Sequence, residues 1–567
     1  MIRFGEKTRY YVADFETTNN KDDCFVWLAC LTDFGMTKHE ISHDMDDFMN
    51  NCFERCKGSV IFFHNLAFDG TYILDWLLRN GYEMTEKVRN NAFSCVISDY
   101  GEFYYIDVIV GYDKSKKQFY HIYFVDSLKL IPMSESRICK AFNLDVMKGE
   151  IDYNKPRSRG YKATDEEIAY IKNDCDIICK VLSQFREEGL LTGFTIGQIA
   201  VKEFKKGYDK WTLQRLFPEF DTETNAYFRK AYKGGWCYCN PVFKGETGVG
   251  EGLVYDVNSL YPSRMLLCPM PYGEPVYFTG EPNTKKQFIC HIRCKFFLKT
   301  ELKKFPFIQV KNMRFFKATE MLTTSNLEDI DLYLTSVDYK LFRENYFTWD
   351  MEYIDGYYFL CKAGIFTDYI ERFSKMKIDG QLEGNMGKRQ IAKLLLNNLY
   401  GKFATNPERR SKKPYMTADG MVKYETIDSD PGKPIYTPIA CFITSYARDL
   451  TIRSAQANYD RFLYADTDSI HLLGKEIPDN IDIDDTRLGA WKLESQFDRG
   501  KYLHAKCYAE EYKGKLSVHI AGLPAKAAST LKFEDIKPGL SVDGKLARKK
   551  VKGGTILNET QFTIKDN

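Results

Sequence analysis

The chain has 567 residues and 44% hydrophobic content, enough for large packed cores in about three or four domains. A net charge of +2 excludes a protein that holds polyanions by bulk basicity, leaving local patches: Lys202/Lys205/Lys206, Arg409/Arg410/Lys412/Lys413 and Lys545/Arg548/Lys549/Lys550/Lys552. Eight His argue against histidine-driven acid–base chemistry, the 16 Cys form no paired C-x2-C zinc pattern, and no apolar run is long enough to span a bilayer.

In chain order, Tyr10–Phe15 and Val60–Phe63 read as strands, Gly70–Asn80 as a helix, and Phe103–Val110 with Phe119–Val125 as a strand pair. Thr164–Phe185 reads as a long helix opened by a capping box, Thr164 with Glu167 three residues on. An α/β unit thus ends near residue 190. A second unit follows, with a strand at Val254–Val257, a helix at Gly387–Tyr400, two short strands around a turn at Phe462–Leu473, and a small hairpin at Gly553–Lys565. The long stretch after residue 263, opened by Cys268–Pro275, reads as an inserted subdomain rather than a loop. A shorter insertion runs from Lys402 to Pro434, punctuated by Asn406-Pro407 and Asp430-Pro431-Gly432.

Two carboxylate constellations carry the chemistry. In the first, Asp14 and Glu16 stand two apart on a strand and so share a face. His64-Asn65-Leu66-Ala67-Phe68-Asp69 follows, and then Tyr170 and Asp174 one helical turn apart. A lone D-x-E is usually a surface strand. The three motifs in series instead suggest one site of hard oxygen ligands, suited to two Mg²⁺ or Mn²⁺ ions about 3.5–4 Å apart that support phosphodiester hydrolysis. Tyr170 would orient the attacking water.

The second constellation joins Asp256, at the end of an apolar strand, to the turn Tyr464-Ala465-Asp466-Thr467-Asp468-Ser469. If those strands lie together, Asp256, Asp468 and the Val257 carbonyl can hold two metal ions, with Asp466 tuning one of them, as nucleotidyl transfer requires. Tyr261 would sit beneath the incoming sugar and exclude a 2′-hydroxyl. Arg389, Lys393, Asn397 and Tyr400 recur on one helical face, with Ile391, Leu394, Leu395 and Leu399 largely away from it, which suits a triphosphate and a base. Tyr232-Lys233-Gly234-Gly235 reads as a glycine turn that brings backbone N–H groups to phosphates, and Lys506-Cys507-Tyr508 offers a cation and a ring to a primer end.

Taken together, the D-x-E, N-x3-D and Y-x3-D series resembles the exonuclease of family B DNA polymerases. The D-x2-S-L-Y-P, K-x3-N-x2-Y-G and Y-x-D-T-D-S series resembles their polymerase motifs. Short length and an exonuclease motif beginning at Asp14 resemble the protein-primed subgroup of small tailed Bacillus phages, the phi-twenty-nine type. The resemblance implies an α/β multidomain fold: an RNase H-like 3′-5′ exonuclease domain plus a right-hand polymerase domain (palm, fingers, thumb) with two insertions.

Its implied boundaries are exonuclease 1–193, palm 194–263 and 435–535, first insertion 264–367, fingers 368–401, second insertion 402–434 and thumb 536–567. The first insertion would dock a priming terminal protein; the second would encircle DNA for processivity and strand displacement. Thr17, His64, Asn65, Phe68, Ser127 and Leu128 would contact a single strand, and Lys148 would be an exonuclease catalytic lysine. Lys377, Arg389 and Lys393 would meet the triphosphate, Tyr261 and Tyr400 the nucleotide pocket, and Lys506 and Tyr508 the primer.

Arg389 stands where the family pattern has Lys, Cys507 where it has Thr, and Ile378–Gly387 is longer than the pattern. The implied partners are template and primer DNA, dNTPs, a terminal protein, and phage single- and double-stranded DNA-binding proteins, for a monomer in the cytoplasm of a bacterial host and away from membranes. A DNA-primed repair polymerase without a terminal protein is the alternative. A non-enzymatic binding protein fits poorly, because crowded acids do not help to hold polyanionic DNA.

Overall fold

The computed structural model describes residues 4–5, 7–152, 155–310, 320–428 and 432–565; Asp430 and Pro431 of the expected breaker lie outside them. Among the described residues, the first unit is built on an eight-stranded sheet: β1 (Arg9–Thr17), β2 (Val26–Asp33), β3 (His39–Ser42), β4 (Ser59–Phe63), β5 (Glu83–Met84), β6 (Ala92–Ile97), β7 (Phe103–Asp113) and β8 (Gln118–Asp126). Its order is β3-β2-β1-β4-β8-β7-β6-β5, with β1 parallel to β4 and β4 parallel to β8. The apolar run of β2 is buried on both faces because helix Asp165–Glu187 covers one and helix Met45–Arg55 the other.

That long helix carries the expected capping box, with Thr164 accepting from the Glu167 N–H and Glu167 from the Thr164 N–H. The helix expected at Gly70–Asn80 instead spans Leu66–Arg79, because Asn65 turns the chain in the left-handed region at φ 83°. Asp69 therefore lies in its first turn, pointing back over that entry. The strands β2, β3 and β6 and the helix Met45–Arg55 complete the unit.

Beyond it come β9 (Cys237–Cys239) and β10 (Gly252–Val257). A separate antiparallel sheet follows, with β11 (Met270–Thr279), β12 (Gln287–Leu298), β13 (Ile330–Thr335) and β14 (Tyr346–Lys362) in the order β11-β14-β12-β13. Helices Thr367–Leu382 and Met386–Asn398 then form a tight hairpin. Gly380 allows the close approach, since a Cβ there would lie 2.7 Å from the Arg389 nitrogen. The extra length at Ile378–Gly387 is therefore helix plus a short turn. The second helix ends before Leu399, and a short one resumes at Tyr400.

Next, β15 (Arg410–Met416) and β16 (Val422–Asp428) make a two-stranded ribbon. The chain then returns through helix Thr437–Ala457 to β17 (Phe462–Asp466), β18 (Ser469–Leu473) and β19 (Trp491–Phe497), which join β9 and β10 in the order β19-β10-β18-β17-β9. A three-stranded sheet follows: β20 (Arg499–His504), β21 (Cys507–Tyr512) and β22 (Lys515–Ile520). The final hairpin is larger than expected: β23 (Ser541–Val551) pairs with β24 (Gly554–Thr563), and Gly553 sits in the turn rather than at its start. Its last strand folds back on the first unit, where the Tyr72 hydroxyl donates to the Thr555 carbonyl and the Leu557 N–H to Asn19 Oδ1.

All 16 cysteines are free thiols, most of them buried. No helix among the described residues is long and apolar enough to cross a membrane.

A buried ion pair ties the inserted sheet to the central one. Arg448 of helix Thr437–Ala457 meets Asp338 at 2.6 Å, both side chains are nearly inaccessible, and Ser445 and Thr335 complete the network. Removing one member strands the other charge. Asp338→Ala should therefore destabilise the fold by about 3–5 kcal/mol in urea titration. Lys303→Ala, which breaks an exposed pair with Asp460, should cost less than about 1 kcal/mol.

Candidate active sites

The first pocket forms where the middle of β1 faces the long helix. Asp14 and Glu16 project from one face of β1, Asp69 from helix Leu66–Arg79, and Asp174 from helix Asp165–Glu187. Glu167, Tyr170 and Asp174 lie along one stripe of that helix, so the capping box registers the tyrosine and the acid. Burial and mutual repulsion raise all four acids. Asp14 and Asp69 rise well above the usual carboxylate range, Glu16 to about 8 and Asp174 to about 6.

Lys148 Nζ lies 3.0 Å from Asp174 Oδ2 and also pairs with Glu135. Burial alone would lower this lysine, yet those two carboxylates carry it above its ordinary value. The ammonium also lies 5.9 Å from the centroid of the Tyr170 ring. Asp174 Oδ1 is buried with no hydrogen-bond partner. An orphaned oxygen among repelling acids is a donor set that fits a hard divalent cation. Among the described residues no group of three or more His, Cys, Asp or Glu stands close enough together to hold a metal ion as placed.

The rim of this pocket is held from below. Asp126 Oδ1 accepts from the N–H groups of Asn65 and Leu128, both at 3.0 Å, which fixes the left-handed Asn65. His64 bridges Ser127 Oγ and the Met133 carbonyl, and Ser127 in turn donates to the Phe63 carbonyl. Ser127 is fully buried, and its hydroxyl braces His64. Phe68 and Thr17 stay half-buried at the rim. Sequence reasoning missed Glu135 and Asp126, which belong to no motif.

The second pocket lies on the central sheet. β10 pairs with β18 so that Asp256 faces Ser469, and the Val257 N–H donates to the Asp468 carbonyl at 2.8 Å. Asp256 and the Asp466–Asp468 turn are therefore neighbours, as expected. Thr467 between those acids has φ 65°, a costly conformation for a β-branched residue. It persists because its N–H reaches the Trp236 carbonyl and its own carbonyl accepts from Thr451 Oγ1 at 2.9 Å. Burial, Asp468 and Glu494 push Asp256 up to about 8, with Lys393 opposing; burial also raises Asp468. Glu494 was not foreseen from the sequence.

Around these acids, the Tyr261 and Tyr400 rings stack at 4.2 Å. Lys377 is lowered by burial and by Arg389, Lys393 and Lys492, so cations from both hairpin helices converge. Arg389 Nε donates to Gln381 Oε1, and Lys388 turns away to Glu383. Ile391, Leu394, Leu395 and Leu399 are buried as expected, while Asn397 is exposed.

The Tyr232–Gly235 segment is not a turn: it runs without secondary structure, and neither glycine has positive φ. Arg448 donates to the Lys233 and Gly234 carbonyls, and Gly235 is needed because a Cβ would lie 2.6 Å from the Thr467 side chain. Lys506, itself left-handed at φ 59°, is pinned by its N–H to the Tyr464 hydroxyl and by Nζ to Asp466 Oδ1 at 3.1 Å. Tyr508 lies against Tyr464 and stacks on His519, and Cys507 faces the core.

With this geometry in hand, comparison with known proteins is informative. The family model for DNA polymerase type B, organellar and viral, matches residues 50–159 and 150–486. The chain is similar to the DNA polymerase of Bacillus phage M2, 39% identical over 98% of this chain and 100% of that one, and to the DNA polymerase of Bacillus phage phi29, 40% identical over 98% and 99%. It also superimposes, with a TM-score of 0.91 and 39% identity over 98% of this chain and 100% of the other, on the solved structure of phi29 DNA polymerase complexed with primer-template DNA and incoming nucleotide substrates.

The raised acids make a pH prediction. In the unfolded chain Glu16 and Asp256 would titrate near pH 4; in the fold both are pushed up to about 8. Between those values the folded state holds protons that the unfolded chain has released, so stability falls as pH rises through the window. The melting temperature in a chelator should therefore drop from pH 6 to pH 9, and added Mg²⁺ should raise it more at pH 9 than at pH 6. A flat profile would count against the acid clusters.

Proposed function

The chain belongs to the type B DNA polymerases of organellar and viral origin, in the branch of the phi29-type phage enzymes, and within that family we propose a replicative, protein-primed polymerase that proofreads and displaces strands. It has the α/β build of an exonuclease unit joined to palm, fingers and thumb. The reading rests on one observation above all: two acid pockets on two separate sheets, one on β1 and the long helix, the other on β10 and the β17–β18 turn.

The building pocket is the second. Asp256, Asp468 and the Val257 carbonyl would hold divalent ions there, and Asp14, Glu16, Asp69 and Asp174 would hold them in the first. Two Mg²⁺ ions per pocket, or Mn²⁺ in their place, would supply activation of the attacking oxygen and charge neutralisation at the phosphate. Lys377, Arg389 and Lys393 present cations to a triphosphate. Tyr400 would meet the base, and the Tyr261 ring would lie under the sugar with no room for a 2′-hydroxyl. Lys506 would trade its Asp466 partner for a primer phosphate, with Tyr508 fixing the strand it leaves from. Tyr232, Gly234 and Gly235 would border the primer track, placed by Arg448 and Thr467.

In the first pocket Tyr170 would orient the attacking water and Lys148 would offset charge at the phosphate. Asn65, Phe68, Leu128 and Thr17 would grip the last bases of a single strand, with His64 held in place by Ser127. DNA and dNTPs are the substrates that the phi29 complex supports. The β11–β14 sheet supports a first insertion over 264–367 that receives a terminal protein, and the β15–β16 ribbon a second over 402–434. The remaining divisions are 1–193, 194–263, 368–401, 435–535 and 536–567. A monomer in the host cytoplasm, served by phage DNA-binding proteins, completes the proposal.

Asp468→Ala should lower primer extension by about 10⁴-fold or more while sparing degradation of single strands, and Asp14→Ala with Asp69→Ala should do the reverse. Loss of both activities in either folded variant would sink the two-pocket assignment. Tyr261→Val should raise ribonucleotide incorporation at least about tenfold relative to deoxynucleotide; unchanged sugar selection would remove the tyrosine from that role.

A further inference from the structure

Glu135 is the first residue of the short helix Glu135–Ala141, after Ser134, and belongs to none of the acid motifs. Its carboxylate is nearly buried and pairs with Lys148, which also reaches Asp174 Oδ2 at 3.0 Å. The ammonium thus bridges two carboxylates from different helices. The negative charge of Glu135 is felt by Asp14, Glu16, Asp69 and Asp174 alike. A fifth acid beside four that already repel is costly, and the Lys148 ammonium between Glu135 and Asp174 offsets that cost.

The surrounding loop explains why that second anchor matters. Lys148 sits on an irregular segment between helices Glu135–Ala141 and Asp165–Glu187, and an extended lysine on such a segment has many rotamers to lose. Farther along, Arg157 ties the segment down through the Asp152 and Lys155 carbonyls and through Glu167 at 2.9 Å. Asn173 Nδ2 holds it at the Met147 carbonyl. These contacts place the backbone; among the described residues Glu135 and Asp174 are the carboxylates that pair with the ammonium itself.

We propose that Glu135 is a positioning residue of the strand-cutting pocket, holding the Lys148 ammonium over Asp174 and Tyr170 so that it meets the scissile phosphate without a search. The proposal rests on the nuclease reading of that pocket. Glu135 touches no reacting atom. It acts through Lys148, as an outer partner orients an inner ligand.

Glu135→Gln keeps the shape and removes the charge. Single-turnover degradation of single-stranded DNA by this variant should slow about 10–100-fold, the range for loss of an orienting outer partner, with KM for the strand unchanged. Primer extension on the same preparation should keep its wild-type rate, which certifies the fold. Because Glu135 works through Lys148, Glu135→Gln added to Lys148→Ala should cost nothing beyond Lys148→Ala alone. Wild-type cutting by Glu135→Gln, or costs that multiply in the double variant, would overturn the proposal. If the wild-type protein itself cut no strands, the nuclease reading would fail instead.

Discussion

Like charges crowded away from water are the constraint on which the rest of this architecture depends. Each pocket assembles carboxylates that would separate if they were free to, and burial raises their affinity for protons. What holds them is the frame: the register of β1 in one sheet, the β10–β18 pairing in the other, and helices whose opposite faces are packed into core. A lysine leans on one acid in each pocket, Lys148 on Asp174 and Lys506 on Asp466. Each pocket thus sets a lysine beside buried acids whose hold on protons is raised.

Left-handed backbone occurs at both pockets as well as at turns elsewhere in the chain. Asn65, Ser259, Thr467 and Lys506 all have positive φ without being glycine. Asn65 opens the helix that presents Asp69, Thr467 stands between Asp466 and Asp468, Lys506 pairs with Asp466, and Ser259 opens helix Leu260–Leu267, which carries Tyr261. Thr467 is the most telling, since a branched side chain tolerates that conformation poorly. Its neighbours compensate with hydrogen bonds on both sides of the residue, and Gly235 gives way to its side chain. A relaxed turn would let Asp466 and Asp468 diverge. The strain is therefore local, and the surrounding packing carries its cost.

Much of this was legible in the residues. Asp14 and Glu16 announced themselves by strand spacing, Asp174 by helical spacing after a capping box, and the cationic helix by its buried leucines. These signals are local, and local periodicity survives into the fold. What stayed hidden is non-local. Glu135 acquires meaning only from Lys148 thirteen positions on, and Asp126 only from the left-handed Asn65 across the sheet. Glycines in sequence suggested a turn at Gly234-Gly235, but the requirement was clearance for Thr467, more than 200 residues away. The start of the helix at Leu66 was displaced by a backbone twist that no residue pattern declares.

The closing strand β24 reaches back across the whole chain, tying Thr555 to Tyr72 and Leu557 to Asn19. On the ribosome, the first unit can collapse around its own sheet long before those partners exist. The face around Tyr72 and Asn19 is therefore covered only after β24 has been synthesised. The first unit thus takes one of its walls from a strand made more than 480 residues after the helix it covers.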